Sequence, residues 1–315
     1  MKILFIAPRY TGGIGGHAAM LADQLTRHGY EVTRMNAPHI PIKNLKNPSF
    51  ALFGTMKGFL NRTHYDIVHA FNIPSAFAMH YAKATKKVLS VHGVFGEQVK
   101  ALHSNTISSI AGSTEKKVLK WADMLTTDSK LSQRKYKEQG YDFVYLPSAI
   151  NTSMFSQVPK TEKKHDQVVY IGRDSFEKGI DVLHDAESQI NGKVVYCTDM
   201  QWNDAMKILK ESSVLVVPSR MESLPTVIKE AFFLKVPVVA TNVGGIPELI
   251  ENNETGLLVK PDDVNELAES VNRLLDDVDF SNKLVNKAHD FVQNNMTWKT
   301  VLPKYVTFYE ELVSN

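Results

Sequence analysis

Cysteine is almost absent. The 315 residues contain one, Cys197, which excludes an intramolecular disulfide framework and any cysteine-cluster metal site. A reducing, cytoplasmic setting is the expectation. Long apolar runs are missing too, since none approaches the roughly 20 residues that a membrane-spanning helix needs. The opening MKILFIAPRY carries a basic residue and a short apolar run that stops at Pro8 with no small-residue cleavage site. It reads as a first β-strand rather than a secretory leader. No short-period repeat or low-complexity tract is present, so solenoids and tandem arrays are excluded.

What is there suffices for two cores, because single cores rarely grow past roughly 250–300 residues. Hydrophobic residues make up 43% and charged ones 22%. The net charge is only +2, but it is unevenly spread. Residues 1–150 hold 19 Lys and Arg against 9 Asp and Glu, giving +10, and residues 151–315 hold 17 against 25, giving −8. Two readings stay open: attraction between two domains, or a basic half that meets an anionic acceptor or membrane surface. Nothing points to nucleic acid.

Apolar runs alternate with amphipathic segments, the pattern of helices layered on a parallel sheet. KILFIAP, YEVTRMNAP, YDIVHAF, KKVLSVHG, DMLTTDS and DFVYLPS are strand candidates, and HAAMLADQLTRHG is a helix closed by Gly29. This series ends near residues 147–151. SQVPKTEKKHDQ reads as a linker. The pattern then restarts with QVVYIGR, KVVYCT, SVLVVPS, VPVVAT and GLLVK as strands. Helices are expected over KGIDVLHDAESQI, NDAMKILKES, a stretch from about Leu224, IPELIEN and VNELAESVNRLLDD. The ending WKTVLPKYVTFYEELV is an amphipathic, aromatic helix. Two such series imply two Rossmann-like domains, 1–150 and 151–296, with 297–315 as a helix packing back on the first.

The first strand leads into TGGIGGH, Thr11 to His17. Either it is a tight turn, or its glycines let the backbone approach a ligand before a helix N-terminus that favours anions. Four glycines in five residues exceed what one turn needs. Gly13, Gly15 and Ala18 also fall at GxGxxA spacing, but the acidic residue that a dinucleotide site wants after the second strand is missing from TRMNA, Thr33 to Ala37. His92 stands at the end of KKVLSVHG, where ligands of open α/β sheets gather, and can donate to a sugar or phosphate oxygen. His69, also near a strand end, reads as structural or peripheral.

In the second half, RDSFEKG places Arg173 and Lys178 around a loop entering a helix, a diphosphate site unless both are simply solvated. Glu222 falls in the loop after SVLVVPS, and Glu230 lies inside the helix that follows. Ser223 reads as the N-cap and Pro225 as a first-turn residue. Anion donors would be the Leu224 and Thr226 amides with the Ser223 hydroxyl. Carboxylates accept from vicinal hydroxyls, so Glu222 and Glu230 could hold a sugar ring and a ribose on either side of a phosphate. Asn242, Gly244 and Gly245 repeat the strand–glycine–helix logic, with Glu248 as a first-turn dipole partner.

GRDSFEKG, PSRMESLPTVIKEA, ATNVGGIPELI and TGLLV, in this order and spacing, resemble the C-terminal half of glycosyltransferase family 4. GGIGGH, SVHG and the WKTVLPKYVTFYEEL ending match as well, so the resemblance covers nearly the whole chain. It implies a GT-B fold: two Rossmann-like domains facing across a cleft, the last helix crossing back to the N-terminal one. It also implies a retaining enzyme moving a hexosyl unit from a nucleoside diphosphate sugar, UDP- or GDP-linked foremost, to a glycan, lipid-linked or other hydroxyl acceptor. By that resemblance no further cofactor or metal is needed. Arg173 and Lys178 would bind the diphosphate, Glu222 the transferred sugar and Glu230 the ribose. Gly13, Gly15 and Gly16 would approach the diphosphate, and His92 the sugar. An epimerase- or phosphorylase-like relative, a donor-binding subunit without activity and a nicotinamide oxidoreductase are the alternatives. The family usually has a further strand–helix–strand where KVVYCTDMQWNDAMKILKES stands, so the second sheet is expected to be one strand short. PSAIN, Pro147 to Asn151, replaces the family's usual Asn-Gly-Val-Asp after the proline.

Overall fold

The computed structural model describes residues 1–8, 13–40, 46–94, 96 and 105–314. They form two compact units, Met1–Ser148 with Lys299–Asn315, and Ala149–Trp298.

The first unit runs β1 (Lys2–Ile6), α1 (Gly13–Arg27), β2 (Glu31–Met35), α2 (Lys46–Leu60), β3 (His64–Phe71), α3 (Ile73–Tyr81) and β4 (Lys83–Ser90). It continues through α4 (Asn105–Leu119), β5 (Met124–Thr127), α5 (Lys130–Glu138) and β6 (Phe143–Tyr145). The six strands pair in parallel, in the order β2-β1-β3-β4-β5-β6. Central strands are buried on both faces, as a parallel sheet covered by helices requires. Every residue of β1 from Ile3 to Ile6 is buried. Local signals start the helices: the Asn72 side chain accepts from the Ser75 amide before α3, and Ser129 from the Ser132 amide before α5.

The second unit contains β7 (Lys164–Ile171), α6 (Ile180–Ala186), β8 (Lys193–Cys197), α7 (Trp202–Glu211), β9 (Ser212–Val217), α8 (Thr226–Phe233) and β10 (Val238–Thr241). Then come β11 (Leu257–Val259), α9 (Val264–Asp276) and α10 (Val278–Asn295). Its sheet is parallel, five-stranded, in the order β11-β10-β9-β7-β8, one strand short as expected. Period-two alternation divides the apolar residues between two layers. Val169, Leu215, Val217, Val238 and Ala240 pack with Leu209, Ile228, Phe232 and Val292 on one face. Val168, Tyr170, Val214, Val216 and Val239 pack with Leu183, Leu267, Val271 and Leu274 on the other. Burying a side chain such as Phe232 stabilises the unit by about 1.5–3 kcal/mol.

The last helix, α11 (Trp298–Ser314), contains Pro303. Val301, Tyr305, Phe308, Tyr309 and Leu312, at three- and four-residue spacing, are buried, and residues from Lys299 onward belong to the first unit.

Several local expectations are corrected. The SQVPKTEKKHDQ segment is no plain linker: Thr152–Gln157 is a 3-10 turn, and β7 already begins at Lys164. IPELIEN forms a single 3-10 turn, Ile246–Glu248, rather than a helix. The expected α6 is shorter, with 3-10 turns at Phe176–Lys178 and Glu187–Gln189 on either side of it. Helix α10 was absent from the sequence reading; Asp277 starts it by accepting from the Phe280 amide.

Candidate functional site

In the second sheet β7 lies between β8 and β9, so the order in which strands are added reverses between β7 and β9. Ligands of open α/β sheets bind outside the carboxyl ends of the strands at such a switch point. The β7 loop (172–179) and the β9 loop (218–225) meet there. Gly179 has φ 63°, and a Cβ on it would overlap the Pro218 carbonyl. Its lack of a side chain is what lets the loops touch.

This junction brings Lys178 to Glu222. Lys178 Nζ donates to Glu222 Oε1 at 2.6 Å, and Ser219 Oγ donates to the same oxygen at 3.0 Å. The pair is well shielded, with 23% and 10% of the side chains exposed. Arg173, by contrast, is 70% exposed and donates to Glu177 at 3.0 Å. Both cations of the expected diphosphate site thus have a carboxylate partner in the structure. The exposed Arg173 pair is weak and easily exchanged. Lys178 has three N–H donors, so one ammonium can hold Glu222 and still reach a further oxygen.

The β10 loop supports this pair from behind. Gly244 has φ 55°, and a Cβ there would overlap the Glu222 carbonyl. The close neighbour of Gly244 in the structure is the Glu222 backbone. Thr241 Oγ1 donates to the Ser219 carbonyl and joins the same loops. Gly245 follows at the start of the 3-10 turn.

Helix α8 begins at Thr226, not at Ser223. Pro225 itself is the cap residue, with ψ 123°, and makes no side-chain cap. Leu224 is instead a core residue, 6% exposed. The helix therefore starts later than the sequence reading had it, and the amides of its first turn begin at Thr226. Glu230 is half-buried within α8, and Oε1 accepts the Trp202 indole N–H at 2.7 Å. Burial raises its carboxyl above the ordinary range, against the Trp202 hydrogen bond and the neighbouring Lys229 ammonium.

Arg220, which the sequence reading did not single out, ties the rim together. It donates to both oxygens of Asp181 and, through Nε, to Asp262 at 2.6 Å, and its guanidinium lies 4.2 Å from the centre of the Phe176 ring. The Arg220 hydrogen bond holds the Asp181 carboxyl below its usual range.

The first unit has its own polar cluster at the carboxyl ends of β1, β3, β4 and β5. His92 Nδ1 pairs with Asp128 Oδ2 at 3.0 Å, with 9% and 7% of the side chains exposed. The His17 ring lies 6.1 Å from that of His92, and its Nε2 hydrogen-bonds the Tyr305 hydroxyl at 3.1 Å. His69 is fully buried between the Tyr309 hydroxyl and Ser90 Oγ, both at 2.6 Å, as its structural reading expected. Burial holds its imidazole well below the usual range, with the His17 and His92 charges adding to the effect. Gly13, Gly15 and Gly16 lie in the first turn of α1 rather than in a loop ahead of it, with Gly13 at φ 57°. Thr11 and Gly12 lie outside the described residues.

Asp128, His17, Tyr305, Trp202 and Arg220 were missed. Asp128 carried a usable signal, since it follows the end of β5 just as His92 follows β4. Trp202 and Arg220 carried none, because their partners are 28 to 42 residues away in sequence. Among the described residues no group of three or more His, Cys, Asp or Glu could hold a metal ion, and no helix is long and apolar enough to cross a membrane.

Two family models match in succession: Glycosyltransferase Family 4 over residues 11–153 and Glycosyl transferases group 1 over residues 152–277. An uncharacterized glycosyltransferase of Methanocaldococcus jannaschii is 24% identical, over 98% of each chain. A putative teichuronic acid biosynthesis glycosyltransferase of Bacillus subtilis is 29% identical, over 66% of this chain and 61% of its own. Among solved structures, sucrose-phosphate synthase from Thermosynechococcus elongatus superimposes with a TM-score of 0.82 at 19% identity, covering 99% of both chains. Anabaena HepE in complex with UDP-glucose gives 0.72 at 17% identity, covering 100% of this chain and 99% of its own.

Proposed function

The chain belongs to the glycosyltransferases, with a Glycosyltransferase Family 4 domain followed by a group 1 domain in a GT-B fold, and from that premise we propose that it is a retaining hexosyltransferase. Its donor is a nucleoside diphosphate sugar and its acceptor a hydroxyl of a glycan or lipid-linked molecule. The observation that carries this reading is the shielded Lys178–Glu222 pair at the switch point, with Glu230 on the helix that follows. The UDP-glucose held by the Anabaena neighbour agrees with that donor class.

The donor diphosphate lies across the loops after β7 and β9. Arg173 exchanges Glu177 for a phosphate oxygen, Lys178 takes a second while keeping Glu222, and the first-turn amides of α8, Thr226 foremost, receive a third. The Ser223 hydroxyl and the Leu224 and Gly245 amides are further candidate donors to the diphosphate. In the first unit, Gly13, Gly15 and Gly16 at the start of α1 are candidate amide donors to an anion. Glu230 Oε2 accepts the ribose hydroxyls while Trp202 fixes Oε1. Glu222 Oε2 accepts hydroxyls of the transferred sugar. In the first unit His92, oriented by Asp128, is the candidate donor to a sugar hydroxyl.

In transfer, the bond from the anomeric carbon to the β-phosphate oxygen breaks and its electron pair leaves with the phosphate. The acceptor oxygen bonds to that carbon on the same face. Its proton passes to the departing phosphate oxygen, so configuration is retained. Arg173, Lys178 and the α8 amides stabilise the charge that develops on the leaving group. A thermal-shift panel of UDP-, GDP-, ADP- and dTDP-sugars tests the donor class. A donor at about 100 times its Kd stabilises the native state by about 2.7 kcal/mol, a rise of about 5–10 °C for units of this size. No shift with any of the four refutes it.

A further inference from the structure

Helix α2 presents two unlike faces. Phe50, Gly54 and Gly58, four residues apart, are buried. Gly54 sits against the Ala78 side chain of α3, and a Cβ on Gly58 would overlap the Ala78 carbonyl. The two small residues let the helices approach closely and fix how α2 is rotated. At 100° per residue, Leu52, Met56, Phe59 and Leu60 then fall on the opposite side, within an arc of about 80–100°. They are 61%, 55%, 71% and 68% exposed. Tyr81, 49% exposed, extends the stripe, its ring centre 6.3 Å from that of Phe59. Single exposed apolar residues need no explanation. Five of the eleven large exposed hydrophobics among the described residues gather here, and a patch of that kind marks an interaction surface.

The chain segment that carries the stripe is basic. Residues 32–96 contain eight Lys and Arg and a single carboxylate, Asp66. That one is engaged, accepting from the Lys2 amide at 2.7 Å. Lys57 and Arg62 on and beyond α2, and Lys83 beside Tyr81, are exposed. A second copy of the chain docking by the same face would bring these cations together, so self-association there is opposed by charge. An anionic bilayer complements both features: apolar side chains enter the boundary of headgroups and acyl chains while the basic rim meets phosphates.

We propose that the outer face of α2, with Tyr81 and the basic rim of Lys57, Arg62 and Lys83, is a docking surface for an anionic lipid bilayer. The helix lies along the bilayer surface and does not cross it. This gives the basic half of the chain its anionic partner, and it is independent of the donor site in the second unit.

The test is co-sedimentation of the full chain with vesicles of phosphatidylcholine alone, or containing about 30% phosphatidylglycerol. Binding to the anionic vesicles is expected, at least about tenfold weaker without the anionic lipid and similarly weakened in about 0.5 M salt, where the Debye length is only a few ångström. Leu52→Ser/Phe59→Ser and Lys57→Glu/Arg62→Glu should each weaken it about tenfold or more while leaving the melting temperature and donor-induced thermal shift unchanged. No binding to anionic vesicles overturns the proposal, as does equal binding to both vesicle types or binding that neither double variant affects. A concentration-dependent dimer that Leu52→Ser/Phe59→Ser dissolves, without vesicle binding, assigns the face to a second copy instead. Vesicle binding needs no turnover, so its failure and a failure of the transferase reading are distinguishable.

Discussion

Gly244→Ala isolates the mechanical support behind Glu222. Residue 244 has φ 55°, so an alanine there meets left-handed backbone strain of about 1–2 kcal/mol. Its Cβ would also overlap the Glu222 carbonyl, and relieving a backbone overlap means moving that peptide by about 1 Å. Together with the strain this costs about 2–4 kcal/mol, lowering the melting temperature of the second unit by about 4–16 °C. The shift also carries Glu222 away from Lys178, and a misplacement of about 1 Å lowers turnover about 10²-fold. Gly140→Ala is the control: its φ is 84°, but no atom lies within 4 Å of the added Cβ. That variant should lose stability through strain alone and keep its transfer rate. Rates come from steady-state nucleotide release below both melting temperatures. Wild-type turnover in Gly244→Ala, or an equal loss in Gly140→Ala, refutes the reasoning.

The two carboxylates of the second unit should separate. Glu222→Gln should slow transfer about 10²-fold or more with donor affinity within a few-fold of wild type, measured by calorimetric titration. Glu230→Gln should weaken donor binding about tenfold. Burial raises the Glu230 carboxyl, so the folded state holds this proton above the unfolded value of 4.5 and ionisation costs stability as pH rises. Glu230→Gln should therefore melt higher than wild type at pH 7 without ligand; a lower melting point contradicts that sign. Asp128→Asn should lower kcat about 10²-fold and alter the pH–rate profile with little change in KM, because it acts by holding His92. An unchanged profile with lost stability would make Asp128 merely structural. His69 stays neutral in the folded state, so the unfolded chain takes a proton that the native one refuses. Stability should fall as pH drops below about 6.5, by up to about 1.4 kcal/mol per pH unit from this group. Urea unfolding of His69→Asn should show a shallower fall.

Alternating apolar runs made the strands legible, because parallel strands buried on both faces leave few sequences open to them. The missing strand could be expected only from the resemblance, because the interval between the KG loop and SVLVVPS is shorter than that family's usual strand–helix–strand. Boundaries were harder where backbone geometry outweighs pattern. Pro225 holds extended backbone at the cap position of α8, and Leu224 is drawn into the core, so the helix begins after both. Helix α10 follows α9 with only Asp277 between them, and a one-residue break leaves little trace in periodicity. Glu222, Lys178 and Glu230 stood out because ligands gather at the carboxyl ends of strands in open α/β sheets, where carboxylates can meet hydroxyls and cations can meet phosphates. Their partners were not readable. Pairing Lys178 with Glu222, or Trp202 with Glu230, requires knowing that β7 and β9 adjoin and that α7 packs near α8. The α2 stripe was equally hidden, since an apolar helix face reads as core until the Gly54–Gly58 side is seen to occupy that role.

The central claim is tested most directly by following the anomeric proton through turnover by NMR, with the donor that the thermal-shift panel selects. An α-linked donor should disappear together with release of its nucleoside diphosphate, and the first product formed should keep the α configuration. A β-configured first product, or release of the sugar without the nucleoside diphosphate, contradicts the account.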